Sequence, residues 1–126
     1  MITGFSYTNI DYANAIRARE VWKQTLFKVF NSVDIILSPT LPTLVPPVEE
    51  DKSLLQATKD ATRNTYAGAL GQIPGLSIPC GFTSDGLPIG LQLEAAWWND
   101  PLLLRAGHTF QRLSLIHISE PTRRRG

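Results

Sequence analysis

The sequence predicts an α/β fold with its elements in the order α-β-α-β-β-α. Three observations carry this. Apolar residues recur at helical spacing over residues 9–31 and again after Asn99. Ile89, Leu91 and Leu93 alternate with Gly90, Gln92 and Glu94 behind an Asp85-Gly86 turn dipeptide, the pattern of a half-buried antiparallel strand. Four prolines between Ser38 and Pro47 separate the first strand from the second helix, because each fixes its own φ and lacks an N–H donor.

The first helix is predicted over 9–31. Thr8 and Asp11 have the spacing of a capping box, and Tyr12, Ile16, Trp22, Leu26 and Phe30 form the apolar stripe. Asn31-Ser32 ends it. Val33-Asp34-Ile35-Ile36-Leu37 is short, β-branched and mostly apolar, which suits a buried strand. A second helix is read from Leu54, Thr58, Ala61, Thr65 and Ala69, with Gly68 and Gly71 marking its end. Leu76–Cys80 forms the next strand. Pro79 cannot donate to a ladder and belongs at the strand's end or at a bulge. Asn99-Asp100-Pro101 opens the last helix, whose buried face is Leu103, Ala106, Phe110 and Leu113.

Composition narrows the function classes. The chain has 126 residues, 43% of them hydrophobic, enough for one domain with a modest core. A net charge of +1 gives no field favouring nucleic acid or an anionic membrane. No apolar run approaches the roughly 20 residues of a membrane span, and the Met1–Phe5 start lacks the basic and apolar regions of a secretion signal. One cysteine, Cys80, makes no internal disulfide, which suits a cytoplasmic location. Cys80 and two unclustered histidines predict no metal site, and no cofactor is expected.

Several pieces resemble, in order, the C-terminal part of the amidase signature family, amide hydrolases with a Ser-Ser-Lys triad. Tyr12-Ala13-Asn14-Ala15 with Arg17 and Arg19 is similar to the family's tyrosine-x-x-alanine helix. Val33–Thr40 is similar to its valine-aspartate strand ending in Pro-Thr. Ile73–Leu93 resembles its proline hairpin, and Asp100–Ala106 its closing helix. The resemblance implies a portion of a large mixed sheet flanked by helices, with residues 1–113 as a partial domain. A strand cut from such a sheet leaves an edge and an apolar face exposed, so the isolated chain is expected to fold poorly. It also implies a parent that cleaves a carboxamide to acid and ammonia through an acyl-serine. The alternative within the family is the glutaminase A subunit of a tRNA-dependent amidotransferase. The alternative outside it is a non-catalytic structural or binding piece.

The chemistry of the reaction needs a nucleophile, a base within hydrogen-bond reach and oxyanion donors. The family supplies these from a glycine- and serine-rich stretch and an upstream lysine, which no part of this sequence matches, so no catalytic residue is assigned. Gly75-Leu76-Ser77-Ile78-Pro79 begins like a nucleophile elbow, but a hairpin comes after it rather than a helix. Ser77 is therefore read as a strand residue, Cys80 as a small buried residue lacking a basic neighbour, His108 as a solvated helix residue and Asp34 as a strand-end carboxylate.

Three residues are substrate-pocket candidates: Thr62, Arg63 and Trp97. Related sequences also have a Thr-Arg pair before the hairpin, and an arginine can grip a carboxylate bidentately. Trp97 and Trp98 are adjacent and cannot face the same way, so one joins the core and the other closes a pocket rim or a subunit interface. A homodimer of the parent would be sought there first. The family's asparagine and glycine before the Pro74 strand are replaced by Ala69 and Gln72, with Leu70-Gly71 displaced by a residue. That departure and the Thr62-Arg63 pair favour a general amidase over the amidotransferase component. Residues 114–126, ending in Arg123-Arg124-Arg125-Gly126, resemble a translated sequencing adapter and are expected to be a non-native or disordered tail. The rival reading, a basic tail for an acidic partner, has only three arginines behind it.

Overall fold

The computed structural model describes residues 6–44 and 54–117. Its elements are α1 (Asn9–Phe30), β1 (Ile35–Pro39), α2 (Leu54–Thr62), α3 (Tyr66–Gly71), β2 (Gly75–Phe82), β3 (Pro88–Ala95) and α4 (Asp100–His117). The predicted α/β class holds, with one difference in the order of elements: the second helix is two helices. The three strands form an antiparallel sheet in the order β1-β3-β2.

The capping box of α1 forms as the spacing predicts. Thr8 Oγ1 accepts from the Asp11 N–H at 3.2 Å, and the Thr8 N–H donates to Asp11 Oδ2 at 2.8 Å. Hydrogen bonds from the Thr8 side chain and backbone hold the Asp11 carboxyl below its usual range. Along the apolar stripe Leu26, towards the C-terminal end, is buried, Ile16, Trp22 and Phe30 are half-buried and Tyr12 is exposed. The buried end packs on α3, where the Trp22 indole N–H donates to the Ala67 carbonyl at 2.9 Å. A Cβ at Gly71 would collide with a Leu26 δ-methyl, so this glycine sets how closely α1 approaches α3.

β1 lies two residues later than predicted. Pro39 ends it opposite Leu91, and the ladder continues through Thr40 N–H to the Gly90 carbonyl at 2.9 Å. The register of β2 against β3 shifts between Pro79 and Gly81, leaving Cys80 as the extra residue of a bulge. Pro79 therefore sits at a bulge, one of the two places open to a residue with no ladder donor. The hairpin turns through Gly86 at φ 82°, and the Leu87 N–H bonds the Thr83 hydroxyl at 3.0 Å.

The sheet's two faces differ in chemistry. Leu76 and Ile78 of β2, Leu91, Leu93 and Ala95 of β3 and Ile35 of β1 point to one face, where Leu103, Ala106 and Phe110 of α4 cover them. Gly107 lets α4 sit close, since a Cβ there would fall 2.7 Å from Leu76 Cδ2. Leu37, on the same face, is 61% exposed because α4 does not reach it. The opposite face carries Ser38, Ser77, Gln92 and Glu94, and α3 lies over it with the turn that precedes it.

Candidate functional site

Antiparallel pairing brings polar residues of three strands side by side. Gln92 stands opposite Ser38 on one side and Ser77 on the other; Glu94 stands opposite Ile36 and Gly75. Cross-strand partners share a face, so these side chains converge beneath α3. Just beyond β1, the Thr40 and Ser77 hydroxyls lie 2.6 Å apart. Thr40, Thr65, Gly68, Ala69, Ser77, Gln92 and Glu94 are among the residues lining a cavity of about 270 Å³.

Gln92 explains why the second helix is broken. It is 5% exposed, and its amide Nε2 donates to the Asn64 carbonyl at 3.1 Å. Asn64 Nδ2 in turn donates to the Pro39 carbonyl at 2.8 Å. Asn64 is thus tied to the sheet through its backbone carbonyl and its side-chain amide, which holds its backbone in the turn. The chain turns at 63–65 and restarts as α3. The face predicted for one long helix is mostly exposed, at Thr58, Ala61 and Ala69. The buried positions of α3 are Gly68 and Gly71.

Gly68 does not mark a helix end, as its place in the sequence predicts. It lies inside α3, where a Cβ would overlap the Glu94 carboxylate. Its smallness is what lets a helix lie over a charged side chain. Burial raises the Glu94 carboxyl above its usual range, opposed by a hydrogen bond from the Gln92 side chain. The carboxyl therefore binds its proton more tightly folded than unfolded. Its stabilising contribution is complete below the unfolded value and is lost as pH rises through the folded one. Among the described residues Glu94 is the only charged side chain lining the cavity. Glu94→Gln is accordingly expected to raise the thermal midpoint at pH 7 and leave it unchanged near pH 3. An equal change at both pH values would show that burial of the charge is not the cause.

The sequence-predicted candidates fall in different places. Thr62 ends α2, exposed, with its hydroxyl donating to the Thr58 carbonyl at 2.8 Å. Arg63 is exposed at the turn that Gln92 and Asn64 anchor. Trp97 is at the other end of β3. It packs edge-on against Phe30 with ring centroids 6.5 Å apart, and its indole N–H donates to the Gly71 carbonyl at 3.0 Å. Trp98 is the exposed member of the pair, at 92%, with φ 64°. The groove that Trp97 lines holds Lys23, Gln72 and Asp100 but neither Thr62 nor Arg63. Ser77 faces Thr40, Cys80 donates its thiol to the Ile89 carbonyl at 3.4 Å, and His108 is exposed on α4. Among the described residues no group of three or more His, Cys, Asp or Glu side chains is placed to hold a metal.

Sequence reading missed Thr40, Gln92 and Glu94. The signal was present in the Gly90-Gln92-Glu94 alternation, but alternation alone assigns the polar face to solvent rather than to a covering helix.

The family model described as Amidase matches residues 3–104. The chain belongs to the amidase family. The A subunit of glutamyl-tRNA(Gln) amidotransferase from Methanosarcina barkeri is 37% identical over 112 residues, 87% of this chain and 23% of that protein. Its counterpart from Chloroflexus aggregans is 36% identical over 115 residues, 91% of this chain and 23% of that one. A crystal structure of an amidase superposes with a TM-score of 0.73 at 29% identity, over 84% of this chain and 25% of the other. The 6-aminohexanoate cyclic dimer hydrolase superposes at 0.76 with 21% identity, over 86% of this chain and 25% of the other, a likeness of fold. The amidase chain thus spans about a quarter of the length of the relatives it matches. Among its described residues no helix is long and apolar enough to cross a membrane.

Proposed function

We propose that this chain is the C-terminal flank of an enzyme that hydrolyses a carboxamide to acid and ammonia, supplying scaffold and pocket wall rather than the bond-breaking groups. The reading is supported by the amidase match across residues 3–104 together with a span of only a quarter of the relatives' length. In this reading the parent carries its serines and lysine elsewhere and forms an acyl-enzyme with serine. Arg63, exposed at an anchored turn, is the pocket residue able to meet a substrate carboxylate. Thr62 accompanies it at the helix end, and Trp97 braces the far end of β3.

A second reading has a specific observation behind it. Relatives at 35–37% identity are named as the A subunit of the amidotransferase. Against it, the structure of that protein from Thermotoga maritima superposes at a TM-score of 0.64 over 71% of this chain, less well than the amidase. We place the general amidase first.

The purified chain, incubated with acetamide or glutamine under ammonia detection, is expected to release nothing above buffer. Measurable turnover would show that the bond-breaking groups lie within these residues. Genomic sequence upstream should encode a lysine followed by a glycine- and serine-rich run. An unrelated reading frame there would sink the assignment to a larger amidase.

A further inference from the structure

We infer that the cavity beneath α3 binds a primary ammonium group, with Glu94 as its counter-charge. The inference stands on the cavity itself and does not require the chain to belong to a hydrolase.

The cavity's composition selects the ligand. Among the described residues its single charged group is a carboxylate, and no cation lines it to neutralise that charge. An ion pair with a bound cation would relieve the burial that now disfavours the charged form. The neighbouring polar groups are the Thr40 and Ser77 hydroxyls. One of the pair donates to the other, and both oxygens retain lone pairs that accept from N–H. An ammonium head offers three N–H donors and no acceptor, matching a carboxylate beside hydroxyl oxygens. Ala69 and Ile73 line the remainder and suit a short alkyl stem.

The space is built rather than incidental. A Cβ at Gly68 would overlap the Glu94 carboxylate, and one at Gly90 would fall 2.8 Å from Thr40 Oγ1. Gly75, opposite Glu94, contributes no side chain to the floor. Gln92 fixes the roof by holding the 63–65 turn.

The head group could come from free ammonium or from an amine-bearing molecule, and the test separates them. The full chain is titrated at pH 7 with ammonium, methylammonium, n-butylammonium, potassium or tetramethylammonium chloride at constant ionic strength, followed by near-ultraviolet circular dichroism. A ligand that binds only the folded form shifts the folded fraction by mass action, which makes a marginal chain a sensitive reporter. A saturable rise with ammonium or a primary alkylammonium, absent with potassium and tetramethylammonium, is expected. Response to ammonium alone identifies a site for the free ion; response to the alkylammonium salts identifies an amine-bearing ligand. Glu94→Gln, which keeps the side chain's shape, should abolish the response, and Ser77→Ala should weaken it several-fold. No difference among the salts, an equal response to potassium, or an unchanged response in Glu94→Gln would overturn the proposal.

Discussion

Replacing Leu93 by alanine is expected to cost about 2–5 kcal/mol and to abolish cooperative unfolding of the chain. Leu93 is 3% exposed and belongs to the cluster of Ile78, Ala95 and Leu103 that joins the sheet to α4. It lies on the central strand, opposite Leu37 of β1 and Leu76 of β2, so the hole would open in the middle of the sheet beneath α4. The core offers little to compensate. Among the described residues the buried hydrophobic side chains are Leu26, Ile73, Ile78, Leu93, Ala95 and Leu103. Phe27, Leu37 and Phe82 are each more than half exposed and add little burial. A typical domain is stable by only about 5–15 kcal/mol, and a core this small belongs at or below the lower end. Hydrogen exchange at the β3 amides reads the outcome: protection in the parent chain should vanish in Leu93→Ala. Undiminished protection would mean that the α4 layer does not hold the sheet.

The second large effect concerns Gln92. Gln92→Leu fills the same space but removes the donor to the Asn64 carbonyl, leaving that acceptor without its bond at a cost of about 1–3 kcal/mol. Direction of structural change separates this from a general loss of packing. Without the anchor, the 63–65 turn is free to take up helical bonding, and α2 and α3 should merge towards the single helix that the apolar spacing favours. Near-ultraviolet ellipticity should fall while far-ultraviolet helical signal holds or rises. Exchange protection at Asn64 and Thr65 should change before that of α4. Loss of helical signal together with the sheet would show instead that Gln92 acts only by filling volume. Gln92→Glu provides the companion result: it keeps the length, removes the amide donor and adds a negative charge beside Glu94, and so should destabilise more at pH 7 than at pH 3.

Which parts of this were legible beforehand depends on the range of the forces involved. The capping box of Thr8 and Asp11, the hairpin around Gly86 and the bulge at Pro79 are local: each depends on the backbone preferences or donors of residues a few positions apart. The α4 stripe is nearly as local, since period alone places Leu103, Ala106 and Phe110 together. The break between α2 and α3 is not local. It depends on Gln92, which is 28 residues from Asn64, and on Pro39, which is 25 residues from it. No propensity at 63–65 carries that information.

By itself the sequence determined the α/β class, the order of the three strands and of the first and last helices along the chain, the family resemblance and the lack of a matching serine-lysine machinery, because period, turn chemistry and motif are properties of neighbouring residues. Only the tertiary structure decided that the polar side of β3 lies under a helix. Pairing across three strands converged Thr40, Ser77, Gln92 and Glu94, and the bare Cα of Gly68 let α3 cover them. The physical reason is that alternation tells which residues share a face, whereas the layer that packs against that face depends on contacts distant along the chain.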